Sequence, residues 1–347
     1  MDASGTLRRS VWRRLAVCLA VLAVVDHAVV PVLNVAEVKR YESDVQVRFE
    51  NSDLFLLGPL AQYLQEHPVG PRPRAVFFGN SVIWGYALNA QAAIPSQFQR
   101  LAPDVRVLNF GVNGFETGSA YLMSKAIIDA VDAFYLFPIG DDAHSLLPKL
   151  IEVSAEDAQR FNLTLPSRFE RAFDRLIGFW RLRRYSYRLQ GAWFGTSSRQ
   201  YVYLHKGEWV RRLLGQGAPG IGAGPEGLPP APRELAGWDA PVAEQEVSPE
   251  EAARLAGRYP LVWEYAQLLQ RHRKYGAIVE LARGTATISR EDRGLLNAYF
   301  HPYVIVAQLS VPDSWFIDNV HCTEEGTLAV AWTLYEHTAK AFGLREG

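Results

Sequence analysis

Cysteine is scarce in this chain, which has only Cys18 and Cys322 among its 347 residues. One lies in an apolar N-terminal run and the other near the opposite end, so a disulfide scaffold and a zinc site built from cysteines are both excluded. An excess of charge of one sign is also lacking, because 36 Lys and Arg face 37 Asp and Glu. A global electrostatic attraction to nucleic acid is therefore not expected, and we predict no nucleic-acid partner.

The N-terminus lacks an unbroken apolar run of bilayer length. Residues 15–25 are apolar without a break, Asp26 and His27 then interrupt the run, and it resumes over residues 28–33. Counted over residues 15–33, the segment would span about 28 Å as a helix, which is close to the thickness of a hydrocarbon core. Four arginines precede it: Arg8, Arg9, Arg13 and Arg14.

This pattern favours an uncleaved signal anchor, with residues 1–35 forming a cytoplasmic tail and one membrane helix. A cleaved signal peptide fits less well, because no small-x-small cleavage site follows Val25. Both interpretations place the remaining chain outside the cytoplasm, in the periplasm, since the positive charges come before the apolar run. A buried N-terminal helix of a soluble protein is the third interpretation.

The rest of the chain has the pattern of a globular α/β domain. A hydrophobic content of 48 % excludes a wholly disordered chain, a collagen or a coiled coil. Short apolar segments alternate with amphipathic helices, which predicts a three-layer sandwich with a mainly parallel sheet and helices on both faces. Strands are predicted over 75–78, 105–110, 133–138, 277–282 and 303–309, and helices over 91–101, 117–130 and 323–342.

The alternation has two interruptions that set the predicted domain boundaries. Residues 36–73 are predicted to form a stalk with a docking helix, 54–65. Residues 150–245 show no clear alternation and are predicted to be an insertion, with a Gly/Pro-rich linker over 215–232. The α/β domain then consists of residues 74–149 and 246–347. Ser248, followed by Pro249 and two glutamates, predicts a capped helix start.

The insertion is basic and aromatic. Residues 160–212 contain 12 Lys and Arg but 3 Asp and Glu, interleaved with Phe, Tyr and Trp. Such a surface could lie on anionic lipid headgroups, bind an acidic glycan or dock on a partner protein. Alternatively it is a solvated helical surface whose aromatic side chains pack on the sheet.

The residues with the clearest chemical meaning lie at the two ends of the α/β domain. Ser81 follows the first predicted strand, so its hydroxyl projects from the carboxyl end of the sheet, where open α/β sheets bind ligands. A nucleophilic serine needs a base, and the base needs an orienting group. Asp318 and His321, in a loop before the last helix, can supply both from one short segment.

These residues resemble the sequence blocks of the SGNH (GDSL-type) hydrolases and acyltransferases. Gly79, Asn80 and Ser81 are similar to the first block, with Asn80 where Asp is commoner. Asp318 and His321 match the Asp-x-x-His of the last block. Asn109, followed five residues later by Gly114, fits the second block. The resemblance implies a flavodoxin-like SGNH fold with Ser81 as nucleophile, His321 as base and Asp318 as the group that fixes its tautomer.

The third block departs from the family pattern. Gly140, Asp141 and Asp142 are the candidates, and they place Asp141 where the family has an oxyanion-binding Asn. The resemblance implies that the backbone amides of Ser81 and Gly114 help to hold the oxyanion, but an ionised carboxylate at 141 accepts hydrogen bonds only. Either Asp141 is protonated, or it points away, or Asn113 replaces it as donor, or the enzyme is slow.

No metal or other cofactor is expected. Asp142 and His144 could form a metal pair, but no third ligand stands at a convincing spacing. The resemblance implies a membrane-anchored serine O-acyltransferase or acetylesterase that acts on a cell-envelope or exported polysaccharide through an acyl-serine. Its partners would be an acylated or acceptor glycan and a multispanning membrane acyltransferase. The alternatives are a lipid esterase or lysophospholipase at the membrane surface and an envelope scaffold with weak catalysis.

Overall fold

A computed structural model describes most of the chain. The described residues are 3–25, 72–85, 88, 92–111, 114–143, 147–179, 232, 234–244, 246–282, 287–318, 321–339 and 341–344. The predicted docking helix 54–65, nearly all of the stalk and of the linker, Asn113 and His144 lie outside them. The helices, numbered in chain order, are α1 Ala3–Val24, α2 Ser81–Trp84, α3 Ile94–Leu101, α4 Thr117–Ile127, α5 Leu147–Leu150, α6 Ala155–Arg160, α7 Arg168–Phe179, α8 Pro249–Arg258, α9 Pro260–Arg271, α10 Arg290–Phe300 and α11 Glu324–Thr338.

Six strands form one mostly parallel sheet, which confirms the predicted α/β class. They are β1 Arg74–Gly79, β2 Arg106–Gly111, β3 Ala133–Leu136, β4 Gly237–Asp239, β5 Tyr275–Ala282 and β6 Val304–Ser310. Their order across the sheet is β2-β1-β3-β5-β6-β4. Every neighbouring pair is parallel except β4 and β6, which run antiparallel at one edge.

The sheet is covered on both faces. Successive side chains of a strand point to opposite faces, and β1 shows this clearly, because Val76 and Phe78 belong to one buried cluster while Ala75 and Phe77 belong to another. The first cluster includes side chains of α4, α8, α9 and α10, and the second includes those of α2, α3 and α11. All six residues of β1 are buried, as a strand covered on both faces requires.

Part of the predicted insertion belongs to the main body. Leu150, Ile151, Ala158 and Leu163 are buried in the cluster that includes α4. Strand β4 extends the sheet, with Trp238 opposite Leu309 of β6. A strand of three residues is too short to show an alternating pattern, so the sequence offered no sign of it. The boundary predicted at residue 246 therefore falls after a strand that is part of the same sheet.

Helix α1 packs little against the body. Nearly all described side chains from residue 11 to 25 are exposed, including the large apolar ones Val11, Trp12, Leu15, Val17, Leu19, Val21, Leu22 and Val24. Among the helices in the described part of the chain, none combines the length and the apolar character needed to cross a bilayer.

Candidate active site

Strand β1 delivers Ser81 to the carboxyl edge of the sheet. The strand ends at Gly79, Asn80 caps the next turn by accepting a hydrogen bond from the Val82 amide at 3.0 Å, and half-buried Ser81 is the first residue of α2. Gly79 is needed for this close turn, since a Cβ there would lie 2.6 Å from Cγ1 of Ile83. The hydroxyl-bearing residue is thus held by a short, well-packed element.

Asn109 fastens α2 to the neighbouring strand. It is fully buried in β2, where its amide nitrogen donates to the Ile83 carbonyl at 3.0 Å and its oxygen accepts from the Gly111 amide at 2.8 Å. At Gly111 a Cβ would overlap the Trp84 backbone, so glycine allows α2 to approach β2. The sequence pattern places Asn109 in a motif but indicates no role for it. The available signal was a polar residue that interrupts the apolar run from Val107 to Phe110.

A tight loop before α11 carries the other two candidate catalytic residues. Phe316 and Cys322 form an antiparallel bridge, and the Ile317 amide donates to the His321 carbonyl at 2.7 Å. The loop therefore folds back on itself and brings Asp318 beside His321. The Thr323 hydroxyl caps α11 by accepting from the Gly326 amide at 3.2 Å.

Helix α11 connects this loop to the rest of the sheet. It packs beside α3 in the same buried cluster, and the Thr327 hydroxyl donates to the Ala92 carbonyl at 2.6 Å. Gly326 lets the start of α11 approach Trp315, because a Cβ there would lie 2.7 Å from the Trp315 carbonyl oxygen. The position of the loop is therefore fixed by the core and does not depend on the loop alone.

The structure brings Ser81, His321 and Asp318 together in the order that acyl transfer needs. His321 Nε2 lies 2.8 Å from Ser81 Oγ, and His321 Nδ1 lies 2.7 Å from one carboxylate oxygen of Asp318. The other carboxylate oxygen accepts from the His321 backbone amide at 2.8 Å. A histidine that donates from Nδ1 to a carboxylate presents its Nε2 lone pair to the serine hydroxyl.

Exposure differs along this array. The His321 side chain is 14 % exposed, whereas that of Asp318 is 48 % exposed. Water therefore competes for hydrogen bonds to the Asp318 carboxylate, which weakens its electrostatic effect. The main role of this carboxylate is then to orient the imidazole. The proton-transfer path between His321 and Ser81 is the better shielded part of the site.

The candidate oxyanion residues lie on the loops after β2 and β3. Gly114 adopts a left-handed conformation with φ of +73° and is exposed, with open space where a side chain would stand. Asp141 is exposed on the loop after β3, and within the described residues no hydrogen bond joins it to Ser81 or His321. The structure thus does not bring Asp141 into the hydrogen-bonded array, and Asn113 lies outside the described residues.

The loop after β3 is fastened to the start of α4. The Asp142 amide donates to Glu116 Oε2 at 3.1 Å, and the Thr117 amide donates to the Ile139 carbonyl at 3.2 Å. Gly140 has φ of +56°, and a Cβ there would overlap the Glu116 carboxylate. The loops that carry Gly114 and Asp141 are therefore linked through residues 116 and 117, a connection that sequence analysis missed.

Comparison with known proteins does not identify a family. No protein-family model matches the chain, and no curated protein matches it in sequence. Within the part of the chain that the structure describes, no group of three or more His, Cys, Asp and Glu side chains is arranged to hold a metal ion. The case for a function therefore depends on the geometry of the site.

Proposed function

We propose that this chain is a serine O-acyltransferase or acetylesterase of the SGNH type, anchored in a membrane, that acts on a cell-envelope or exported polysaccharide. The observation that carries the proposal is the continuous array from Ser81 Oγ through the His321 imidazole to the Asp318 carboxylate, with contacts of 2.8 and 2.7 Å. This arrangement suits a nucleophile, a base and an orienting carboxylate.

The proposed reaction has two steps. Ser81 Oγ attacks the carbonyl carbon of an ester while His321 Nε2 takes the hydroxyl proton. The bond to the leaving alcohol then breaks, and the alcohol receives that proton, which leaves an acyl-Ser81. In the second step His321 Nε2 takes the proton of a sugar hydroxyl or water, whose oxygen attacks the acyl carbon. The bond between that carbon and Ser81 Oγ then breaks, and His321 returns the proton to Oγ. The Ser81 and Gly114 amides are the proposed oxyanion donors.

The sheet topology supports the proposed family. Its five parallel strands have the order β2-β1-β3-β5-β6, which is the doubly wound order 2-1-3-4-5 when β4 is set aside. In such sheets ligands bind outside the carboxyl ends of the strands, and Ser81 follows the carboxyl end of β1. The exposed apolar side chains of α1, together with the arginines among its first residues, support the proposed membrane anchor over residues 1–35 and an extracytoplasmic body. Helix α1 covers only part of that anchor, since residues 26–35 lie outside the described part of the chain.

The test is acylation of the full chain in detergent with p-nitrophenyl acetate. Intact-mass and peptide analysis would identify the acylated residue in the wild type, in Ser81→Ala and in Ser314→Ala, a matched control at an exposed serine. We expect an acetyl group on Ser81 that is lost only in Ser81→Ala. Absence of acylation in a folded wild-type chain would contradict the proposal and favour a scaffold.

A lipid esterase is the second candidate function. It is favoured by the exposed aromatic side chains of α7, since Phe169 is 78 % exposed and Phe173 is 51 % exposed. The same triad would then cleave an acyl ester of a phospholipid or lysophospholipid. Release of fatty acid from a panel of such lipids, compared with acetyl transfer to oligosaccharide acceptors, separates the two.

A further inference from the structure

Helix α7, Arg168–Phe179, presents an apolar surface that the described body does not cover. Phe169 and Phe173 are one turn apart and stack on each other with ring centroids 6.5 Å apart, yet both are exposed. Leu165, just before the helix, is 45 % exposed. The simplest alternative for this basic aromatic region is that its aromatic side chains pack on the sheet. Phe169 and Phe173 do not pack there, because both are exposed.

The start of α7 is formed by its own residues. The Glu170 carboxylate accepts from the Ser167 backbone amide at 2.7 Å, and the Ser167 hydroxyl accepts from the Glu170 amide at 3.1 Å. Such a reciprocal cap satisfies amides at a helix start without help from another element. The first turn of α7 is therefore capped locally, by Ser167 and Glu170.

The segment just before α7 is attached to the body. In α6, Arg160 makes two contacts with the Glu264 carboxylate, at 2.7 and 3.0 Å. Lys125 of α4 pairs with Asp157 at 2.9 Å. The exposed aromatic surface thus begins soon after a fixed point on the catalytic body.

The segment of sequence that contains α7 is basic. Arg168 and Arg171 are exposed on α7, and residues 160–212 contain 12 Lys and Arg against 3 Asp and Glu. Amphipathic helices with aromatic side chains on one face and arginines on the other lie in the interface of anionic bilayers. Basic side chains close to such a surface are attracted to it, and the attraction falls off within a Debye length.

We propose that α7 docks on the surface of an anionic phospholipid bilayer. Phe169 and Phe173 enter the boundary between headgroups and acyl chains, and Arg168 and Arg171 contact the lipid phosphates. The inference rests on the proposed membrane anchoring, to which it adds a second attachment. Two attachments hold the catalytic body close to the bilayer, near any acyl donor that a membrane protein delivers.

The experiment measures whether α7 meets lipid in the full chain. The chain is reconstituted in phosphatidylcholine vesicles with or without phosphatidylglycerol, using lipids brominated in their acyl chains. A bimane label is attached at Ala172→Cys, an exposed position between the two phenylalanines, in a Cys18→Ser background, while Cys322 is buried. The matched control is a label at Gln159→Cys, exposed on α6.

We expect the brominated lipid to quench the label at 172 in vesicles that contain phosphatidylglycerol and to leave the label at 159 unaffected. Replacing both phenylalanines by serine should abolish the quenching. Arg168→Gln and Arg171→Gln should each lower the ratio of docked to undocked chain by about fivefold.

Three results would overturn the inference. The first is a label at 172 that is quenched no more than the label at 159. The second is equal quenching in both vesicle types, which argues against an anionic surface. The third is a label that responds to an acidic polysaccharide or a protein and not to lipid. Flotation and Ser81 acylation are measured on the same samples, so a chain that floats and acylates Ser81 without quenching fails this inference alone. A chain that does not float fails the anchor as well.

Discussion

The Ser81 hydroxyl and the His321 imidazole meet at 2.8 Å although 240 residues separate them in sequence. Each is held by its own set of contacts. Asn109 ties α2, which begins with Ser81, to β2. Thr327 ties α11, the helix after His321, to the segment before α3. Because neither local segment can form the contact alone, the contact depends on the packing of the whole sheet.

Asp318→Asn tests the orienting role of the carboxylate. The carboxylate accepts hydrogen bonds at both oxygens, from the His321 backbone amide and from Nδ1. An amide can accept at only one of these positions, because its nitrogen donates instead, and it favours the wrong imidazole tautomer. We therefore expect the rate of Ser81 acylation to fall by about 10²–10⁴. Asp318 is 48 % exposed, so the free energy of unfolding should change by less than about 0.5 kcal/mol. Single-turnover acylation and denaturant unfolding give the two values. Asp104→Asn, at an exposed position, is the control. A full acylation rate in Asp318→Asn would exclude this role.

Asn109→Leu tests whether α2 must be tied to β2. The change leaves the Ile83 carbonyl and the Gly111 amide without the partner that Asn109 supplies, at a cost of about 1–3 kcal/mol in the free energy of unfolding. We also expect the folded fraction to acylate Ser81 more slowly, because the Ser81 helix shifts. Asn297 is a matched control, since it is buried and bonds to Pro241 and to Val306.

Asn297→Leu should lower the free energy of unfolding by a similar amount while leaving the acylation rate per folded molecule unchanged. Equal losses of acylation in the two variants would mean that Asn109 has only a general structural role. The acylation rates are compared without denaturant, at a temperature at which circular dichroism shows both variants to be folded.

Much of this fold could be predicted from the sequence, for local reasons. The strand before Ser81 is an apolar run followed by a glycine turn, and Ser248 begins α8 with a capping box that its sequence specifies. Strand β4 could not be predicted, because three residues carry no period and the strand is added by pairing with β6. The link between Glu116 and the Asp142 amide was likewise not predictable, since it joins two loops through the sheet order.

The candidate triad of Ser81, His321 and Asp318 could be predicted from the sequence for a different reason. Asp318 and His321 share one short loop, so their spacing already implied that one could orient the other. The partner of His321 could not be read from spacing. Ser81 stands out because it follows the first predicted strand, and the motif resemblance gives it the role of nucleophile. The oxyanion donors were the weakest prediction, because backbone amides leave no mark in the sequence and Asp141 lies exposed.

Asp292 should make the fold sensitive to acid. Its side chain is 3 % exposed and pairs with Arg254 and Arg258. Burial by itself raises the pKa of the Asp292 carboxyl, but the hydrogen bonds from Tyr259, Arg254 and Ser289 and the charge of Arg254 outweigh it, so the pKa is lowered. A carboxyl whose pKa is lowered in the folded state stabilises it at pH values above the unfolded value of about 4.

That stabilisation is lost as the pH falls through the unfolded pKa and then through the lower folded pKa. We therefore expect the free energy of unfolding to be level from neutral pH to about pH 5 and to fall below about pH 4. Asp292→Asn should lower the free energy of unfolding by about 1.5–3 kcal/mol at pH 7. In acid, the free energy of unfolding of this variant should fall less steeply than that of the wild type. Denaturant titrations across this range test it, and a wild-type slope in the variant would refute it. Asp104→Asn should keep the wild-type slope.

Two glycine-to-alanine substitutions should change the free energy of unfolding in opposite directions. At Gly111 of β2 a Cβ would lie 2.6 Å from the Ile83 carbonyl carbon and 2.7 Å from Trp84 Cα, both backbone atoms of α2. Backbone cannot move aside as a flexible side chain can, so Gly111→Ala should lower the free energy of unfolding by about 1–3 kcal/mol. Because α2 begins with Ser81, it should also reduce Ser81 acylation.

Gly257 in α8 is exposed, and a Cβ there would have no heavy atom within 4 Å. Alanine loses less backbone entropy than glycine on entering a helix, so Gly257→Ala should raise the free energy of unfolding by about 0.5–1 kcal/mol and leave acylation unchanged. Chemical unfolding of both variants, with acylation assayed on the same preparations, measures the pair. If Gly111→Ala kept full acylation, the close approach of β2 to α2 would not position the nucleophile, and the role given to Asn109 would fail with it.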